Sequence, residues 1–322
     1  MAGPGGAGMG GSSLAAAARG VCPVLATPFD ETGAIDVDGF GQLVGRVLDS
    51  GVNWVMWPGF ASESYKLSDS EVAAMRACLL EQAHGRRRQA VISVARHATR
   101  LAVDDAVAAA EEGADAISLL PPYLLSPSRY AVTEHLGAVM SAVAPLPVIV
   151  QYAPALAPSP IRTADLTRLA AEQQNFRMVK IDSASAGPMI SELLGEEPAL
   201  ESVVGYAGIA MIDALRQGAR GIQPGCSFVE VYQRIWQLWD AGRADEATRL
   251  HGRLLPYVTS WMADMELIIS VEKNISKQRG WIGSDYCRAP GRRLTPTDHA
   301  FIFRFLDEFA CLLRPLSNAA GR

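Results

Sequence analysis

The sequence predicts a (β/α)8 TIM barrel of the α/β class, followed by an all-helical C-terminal extension. Short apolar runs recur along the chain, and each is followed by a turn and a stretch with helical spacing. The runs are apolar almost throughout rather than alternating, which is typical of parallel strands covered on both faces. Their number and order favour a closed barrel over an open sheet. The expected strands are Pro23–Ala26, Trp54–Trp57, Ala90–Ala95, Ala116–Leu120, Val148–Tyr152, Arg177–Ile181, Ser202–Gly205 and Gly221–Gln223.

The connections between these runs carry helix signals. Ser68 with Glu71 three residues later predicts a capping box, and Thr163 is expected to cap the helix that follows it. Gly51 is expected to end the first helix, whose apolar face consists of Phe40, Leu43, Val44, Val47 and Leu48. A nucleotide-binding open sheet is not indicated, because Thr27-Pro-Phe-Asp30 stands where a glycine-rich turn would follow the first strand.

After residue 225 the pattern becomes helical only, and no linker-like segment separates this part from the barrel. We expect a flexible tail over 1–18, the barrel over 19–225, a packed helical extension over 226–316 and a short tail over 317–322. The last helix is expected to open at Thr295-Pro296 and to run to about Leu313. An earlier helix has an apolar face of Val231, Ile235, Leu238 and Trp239, and another spans 262–271.

Composition excludes several classes of protein. The chain has 322 residues, is 49% hydrophobic and carries a formal net charge of -5, so neither nucleic acid nor an anionic membrane is an expected partner. The 5 cysteines are scattered without CxxC spacing, which indicates reduced thiols in a cytoplasmic protein. No signal peptide, membrane-spanning run or metal-ligand motif is recognisable. We therefore expect no metal.

One lysine stands out from the predicted core. Lys180 lies near the end of the apolar run Phe176–Ile181, where an ammonium group is costly unless it is paired or loses its proton. One interpretation is an edge lysine that extends its charged end to solvent. The other is a lysine kept unprotonated so that its amine can attack a carbonyl. Since barrel enzymes place their active sites at the carboxyl ends of the strands, the position favours the second interpretation.

Several short motifs then follow in a specific order. Thr27–Gly33 resembles an opening TPF-x-x-x-G, and Gly59–Ser64 occupies the place of a GTTGES loop. Pro121–Tyr123 resembles TPYY, and Pro147–Pro154 resembles a P-I-I-L-Y-N-x-P strand. Val179-Lys180 resembles the end of a strand that carries a Schiff-base lysine. In this order and spacing the chain, from about residue 20 to 316, resembles the dihydrodipicolinate synthase and N-acetylneuraminate lyase family of class I, Schiff-base-forming barrels.

The resemblance implies a chemistry and a set of partners. Lys180 would condense with the keto carbon of a small-molecule 2-oxo acid, and no cofactor would be required. Backbone amides of the turn formed by Gly59, Phe60, Ala61 and Ser62 would hold the substrate carboxylate. Tyr123 matches a tyrosine that supports the site. Gln223 stands where the family lines the pocket with an apolar residue, and it would bind a substrate hydroxyl or merely end its strand. A homotetramer or homodimer is implied as well.

The departures from the family pattern concern proton transfer. The fifth strand presents Gln151 where synthases and lyases carry a tyrosine that relays protons, and an amide cannot act as an acid or base near neutral pH. Both threonines of the GTTGES loop are replaced, by Phe60 and Ala61, and the second tyrosine of TPYY is Leu124. Dihydrodipicolinate synthase activity is therefore not expected on mechanism, although Tyr206 after the seventh run offers another phenol.

Asp182 is the candidate that would move protons instead. Alternation along a strand points it to the same side as Lys180, two residues earlier. This pair, together with Gln151, resembles the members of the family that dehydrate 2-keto-3-deoxy sugar acids. The alternative is that Asp182 only pairs with the lysine or caps the next helix. A nearby carboxylate also favours the charged lysine, so pairing and nucleophilicity oppose each other.

Three functions therefore remain open from the sequence. The leading hypothesis is a lyase that forms a Schiff base through Lys180 and dehydrates or cleaves a hydroxylated 2-oxo acid. The second is a pyruvate-dependent aldolase or synthase-like enzyme whose proton relay uses water held by Gln151. The third is a barrel without catalysis that binds a metabolite. A buried strand-end lysine argues against the third, because an inactive site has no reason to retain it.

Overall fold

The computed structural model describes residues 19–313, so the expected tails 1–18 and 317–322 lie outside the described residues. Its centre is a sheet of 8 parallel strands in the order β1-β8-β7-β6-β5-β4-β3-β2. A parallel bridge between Val24 and Met56 joins the first segment to β2 and closes the barrel, so the predicted fold class is confirmed. The strands are β1 Gly20–Val21, β2 Trp54–Trp57, β3 Gln89–Val94, β4 Ala116–Leu119, β5 Val148–Tyr152, β6 Phe176–Ile181, β7 Glu201–Val204 and β8 Gly221–Ile222.

The first strand lies earlier than predicted, since Pro23–Ala26 is not part of the continuous ladder with β8. Proline has no N–H to donate, so the chain changes partners at Pro23. The amide of Val24 still donates to the carbonyl of Pro224 at 2.8 Å, whereas Leu25 N donates to Met56 O at 2.9 Å. The remaining predicted strands agree with the structure to within one residue at each end.

Helices cover the outside of the barrel. They are α1 Val37–Asp49, α2 Asp69–Gly85, α3 Thr99–Glu111, α4 Arg129–Val143, α5 Thr163–Glu172, α6 Gly187–Gly195 and α7 Met211–Arg216. The predicted capping box at Ser68 and Glu71 is confirmed. The predicted cap at Thr163 is wrong, because Thr163 is already helical and Arg162 precedes the helix, with its amide donating to Asp165 Oδ2 at 3.0 Å.

The C-terminal extension is helical throughout its regular elements: α8 Val229–Asp240, α9 Ala244–Trp261, α10 Met265–Gln278, α11 Pro296–Glu308 and α12 Ala310–Leu313. Thr295 caps α11 as predicted, but the helix stops at Glu308 and a separate short turn of helix follows. Rings of Phe228, Tyr257, Trp261 and Phe305 pack together, which joins α9 and α11 to the segment after β8. The extension is thus continuous with the hydrophobic core.

Two surveys of the described part of the chain bear on its class. Between residues 19 and 313, no helix combines the length and hydropathy required to cross a membrane. In the same range, no three His, Cys, Asp or Glu side chains are grouped so that they could hold a metal ion.

Candidate active site

Lys180 and Asp182 meet at the carboxyl end of β6, and both are only 4% exposed. Lys180 Nζ lies 3.4 Å from Asp182 Oδ2. Gln151, which pairs with Lys180 in the β5–β6 register, donates from Nε2 to the same oxygen at 2.5 Å. The structure therefore brings the three predicted catalytic residues together, with the carboxylate of Asp182 between an ammonium group and an amide donor.

The second oxygen of Asp182 is also held. The backbone amide of Tyr206 donates to Asp182 Oδ1 at 2.9 Å, and Tyr206 adopts a left-handed conformation with φ of 52° to do so. A Cβ on the preceding Gly205 would lie 1.7 Å from Asp182 Oδ1 and 2.9 Å from Lys180 Cε. Any side chain at this position would displace the pair, so Gly205 is a requirement of the site that the sequence did not indicate.

The turn after β2 is a short 3-10 helix, Phe60–Ser62, preceded by Gly59. Within it, Ser62 Oγ accepts from the Gly59 amide at 2.8 Å and donates to Leu25 O at 2.5 Å. The Ser62 amide in turn donates to Gly59 O at 3.0 Å. The amides of Gly59 and Ser62 already donate to acceptors inside the turn. The backbone amides of Phe60 and Ala61 are therefore the ones that can donate to a carboxylate bound here.

A buried ion network holds the far end of this turn. Glu63 is fully buried in a left-handed conformation with φ of 54°. Its carboxylate accepts from Lys273 of α10, from Lys66 Nζ at 3.1 Å and from the Arg288 amide at 3.0 Å. Lys273 also lies 4.2 Å from the centre of the Phe29 ring. Burial lowers the pKa of Lys273, while Glu63 opposes that shift.

A single cavity joins these parts. It encloses about 570 Å³, including solvent at its open mouth. Its floor and walls contain Gly59, Phe60, Ala61, Gln151, Lys180, Asp182 and Gln223, which were all predicted from the sequence. Its remaining lining residues are Val24, Leu156, Tyr206, Ala207, Pro224, Gly225, Met262, Met265, Ile268 and Glu272. The last four of these come from the extension, which therefore forms part of the cavity wall.

Gln223 presents an amide with spare hydrogen-bonding capacity. Its side chain is 2% exposed, and Nε2 lies 3.4 Å from Cys22 Sγ. Its Oε1 has no hydrogen-bond partner among residues 19–313. Burial raises the pKa of the Cys22 thiol although Lys180 nearby opposes the shift, so this sulfur is a thiol and not a thiolate. An unpartnered, buried amide oxygen at a cavity wall suits a hydroxyl donor on a ligand.

Two of the predicted binding residues do not line the cavity. Ser62 is fully buried beneath the turn and acts through its hydrogen bonds to Gly59 and Leu25. Tyr123 and the lining residue Phe60 both pack against a small apolar cluster of Leu120, Ala153 and Ala157, and the Tyr123 ring contacts that of His97 with 4.7 Å between centroids. Ser62 therefore supports the lining turn from behind, and Tyr123 shares an apolar cluster with it.

Glu272 is a lining residue that sequence reasoning missed. It lies in α10, where ten consecutive residues from Leu267 to Ser276 are all buried. The available signal was a Glu-Lys pair, Glu272-Lys273, inside an otherwise apolar helix, because charged residues are rarely fully buried without a specific reason. Glu272 lies against Gly225, 47 residues earlier in the chain, and Lys273 pairs with Glu63, 210 residues earlier. A local sequence pattern does not indicate contacts over such separations.

The fold and the cavity define a class of protein: a (β/α)8 barrel enzyme with a buried lysine at the end of its sixth strand. The chain belongs to the Dihydrodipicolinate synthetase family, whose model matches residues 17–300. It is 26% identical over 287 residues to the L-2-keto-3-deoxyarabonate dehydratase of Azospirillum brasilense, covering 88% of this chain and 91% of that protein. It is 30% identical over 251 residues to 4-hydroxy-tetrahydrodipicolinate synthase 1 of Streptomyces coelicolor, covering 76% and 79%.

Solved structures share the fold. The dihydrodipicolinate synthase of Rhodopseudomonas palustris aligns with a TM-score of 0.84 at 22% identity, over 90% of this chain and 97% of that chain. A prophage protein of the dihydrodipicolinic acid synthase family from E. coli K12, solved in complex with pyruvate, aligns with a TM-score of 0.83 at 23% identity, over 91% and 98%. At these identities the likeness establishes the architecture alone.

Proposed function

We propose that this protein is a lyase that forms a Schiff base through Lys180 and removes water from a hydroxylated 2-oxo acid of the 2-keto-3-deoxy sugar acid type. The observation that carries the proposal is the arrangement around Asp182. Its Oδ2 lies 3.4 Å from Lys180 Nζ and 2.5 Å from Gln151 Nε2. The position of the synthase phenol is thus occupied by an amide that orients a carboxylate next to the nucleophile.

The geometry supports a defined order of steps. Asp182 accepts a proton from the Lys180 ammonium, which frees the amine to attack the keto carbon, C2. Asp182 returns that proton to the hydroxyl of the adduct, so that water leaves and an iminium forms that withdraws electrons from C3. Asp182, again an anion, then removes a proton from C3, and the electron pair forms an enamine. As the enamine collapses, the C4 hydroxyl takes up a proton from an acidic group of the cavity and leaves as water, and hydrolysis of the iminium releases the unsaturated product and regenerates Lys180.

The other residues position the substrate. The amides of Phe60 and Ala61 donate to its carboxylate, and Gln223 Oε1 accepts a hydrogen bond from a hydroxyl on the rest of the substrate. Gln151 is assigned to orientation and not to proton transfer, since an amide neither gains nor loses a proton near pH 7. The relative from A. brasilense is named as a dehydratase of a 2-keto-3-deoxy sugar acid, which supports the same substrate class here.

The first test is trapping with borohydride. The protein is reduced in the presence of pyruvate or a 2-keto-3-deoxypentonate and analysed by intact mass and peptide mapping. We expect an adduct on the peptide that contains Lys180 and no adduct in Lys180→Arg. A protein that gives no adduct with any 2-oxo acid, under conditions that label an active relative, would favour the metabolite-binding alternative.

The products then distinguish dehydration from aldol cleavage. Dehydration leaves the carbon skeleton intact, and its product is lighter by one water. Cleavage instead yields pyruvate and an aldehyde, and the pyruvate is detected directly with lactate dehydrogenase. Asp182→Asn is expected to keep the fold and to lower turnover by about 10²–10⁴-fold. Release of pyruvate at the rate of substrate loss would replace the dehydratase proposal with the aldolase.

We also propose that the protein is a homotetramer or homodimer in a cytoplasmic setting, as the family resemblance implies. Light scattering coupled to size-exclusion chromatography measures the mass directly. A single species at the mass of one chain, independent of concentration, would contradict this part of the proposal.

A further inference from the structure

The cavity contains a second buried carboxyl group, from outside the barrel, that the steps above do not use. Glu272 of α10 is 3% exposed and lines the same cavity as Lys180 and Asp182. Its Oε2 accepts from the Ser227 amide at 2.8 Å. A Cβ on Gly225 would lie 2.1 Å from Glu272 Oε1, so the absence of a side chain at Gly225 makes room for the carboxyl group at the cavity wall.

The surroundings of Glu272 differ from those of Asp182. Among residues 19–313, none of the ion pairs within 4.0 Å involves Glu272, and Arg279, the cation that acts on it, is paired with Glu230. The ionisable groups facing it from the neighbouring segments are Cys226 and Tyr232, and burial raises the pKa of both. Glu272 thus lies against the neutral groups Cys226 and Tyr232 and shares the cavity with Lys180 and Asp182 without an ion pair to either, whereas Asp182 is paired with Lys180 and accepts from two N–H donors.

This difference sets the protonation state. Burial raises the pKa of Glu272, and the hydrogen bonds and the more distant Arg279 oppose the shift only in part. A cavity with one carboxyl group that accepts from N–H donors beside Lys180, and another whose pKa is raised by burial, has the two partners required for elimination of water. Elimination needs a base at the carbon that loses its proton and an acid at the hydroxyl that leaves.

We propose that Glu272 is the general acid that gives its proton to the departing C4 hydroxyl. The proposal rests on the proposed function, since it presupposes a substrate bound to Lys180. As the enamine collapses, the C3–C4 double bond forms and the C4–O bond breaks. The hydroxyl leaves with the proton of Glu272 as water. Asp182 holds the proton taken from C3, and exchange with solvent returns Asp182 to its anion and Glu272 to its acid.

A purely structural role for Glu272 makes different predictions. In that case the carboxyl group would only hold the Ser227 amide and so fix the segment between β8 and α8. Glu272→Gln retains an oxygen that accepts this hydrogen bond but has no transferable proton. The variant therefore separates the two roles. Glu246→Gln is the matched control, because Glu246 of α9 forms an exposed ion pair with Arg243, the residue before that helix.

The experiment follows three steps of one reaction in wild type, Glu272→Gln, Asp182→Asn and Glu246→Gln. The first is adduct formation with pyruvate, which has no C4 hydroxyl. The second is exchange of the C3 protons of 2-keto-3-deoxypentonate with deuterium from solvent, read by NMR. The third is elimination from this substrate and from its 4-fluoro analogue, whose leaving group needs little protonation.

We expect Glu272→Gln to form the pyruvate adduct and to exchange C3 protons at near wild-type rates. Its water elimination should fall by about 10²–10⁴-fold, and its elimination of fluoride should return to within about tenfold of wild type. Asp182→Asn should lose exchange and elimination with both substrates. The pH profile for water elimination in Glu272→Gln should also lose the limb at high pH that reports the acid.

Two results would overturn the inference while leaving the proposed function intact. One is unchanged water elimination in Glu272→Gln. The other is an equal loss with the hydroxyl and fluoro substrates, which indicates a structural role. Absence of any Lys180 adduct in the wild type would instead refute the proposed function, so the two failures are distinguishable.

Discussion

The buried pair of Lys273 and Glu63 offers a quantitative test of how the extension holds the carboxylate-binding turn. Both side chains are completely buried, and they pair directly. Lys273→Met keeps the apolar stem but removes the ammonium group, which leaves Glu63 with Lys66 Nζ at 3.1 Å and the Arg288 amide at 3.0 Å. Breaking a buried pair costs about 3–5 kcal/mol. Because two donors remain, we expect a loss near the lower end, about 3 kcal/mol.

The assay is thermal and denaturant unfolding of Lys273→Met, Glu63→Gln and the double variant. For a domain of this size the expected loss corresponds to a decrease in Tm of roughly 5–8 °C. The double variant should lose about 1–3 kcal/mol less free energy of unfolding than the two single variants lose together, because neither member of the pair is left as an uncompensated charge. Additive losses, or a Lys273→Met variant as stable as wild type, would show that the pair does not anchor the turn.

The remaining predictions concern space and charge. In Gly205→Ala the new Cβ would lie 1.7 Å from Asp182 Oδ1, so we expect adduct formation to fall by roughly 10²-fold. The control is Gly252→Ala, because beyond the backbone of its own helix no heavy atom lies within 4 Å of the new Cβ. Equal activity of the two variants would contradict the argument. Hydrogen bonds from Arg288 lower the pKa of Glu71 from 4.5 to about 2. The folded state therefore gains stability from this carboxylate above pH 4.5 and loses it as the pH falls towards 2. Glu71→Gln should be destabilised by about 1 kcal/mol at pH 7, after allowance for solvent screening, and this difference should vanish in unfolding measurements near pH 2.

The predictable part of the site follows from the regular geometry of strands. The spacing of Lys180 and Asp182 is enough to direct both side chains into one cavity. Gln151 is predictable as a strand-end residue, but its bond to Asp182 depends on the register of β5 with β6, which local patterns do not specify. The first strand was misplaced because an apolar run around Pro23 continues past the point where proline interrupts the ladder.

The unpredicted part depends on contacts between segments far apart in the chain. The pairing of Lys273 with Glu63 spans 210 residues, and no short-range rule indicates which buried charge meets which. The left-handed conformation of Tyr206 is likewise not predictable from the sequence, because non-glycine residues rarely have positive φ. A tertiary contact stabilises it here, the hydrogen bond from the Tyr206 amide to Asp182. Motif spacing locates strand ends, whereas the tertiary structure determines what faces them.

Two neighbouring positions of α10 serve opposite sides of the cavity. Successive helical residues are rotated by about 100°, so Lys273 is directed to Glu63 behind the turn after β2 and Glu272 to Gly225 after β8. A deletion of one residue upstream in this helix would place Lys273 in the cavity, and an insertion of one residue would instead place Glu272 against Glu63. In directed evolution of this scaffold, the length of α10 should therefore be kept and Glu272 and Lys273 held constant, and libraries for new substrates are best built at the other lining positions of the extension, Met262, Met265 and Ile268.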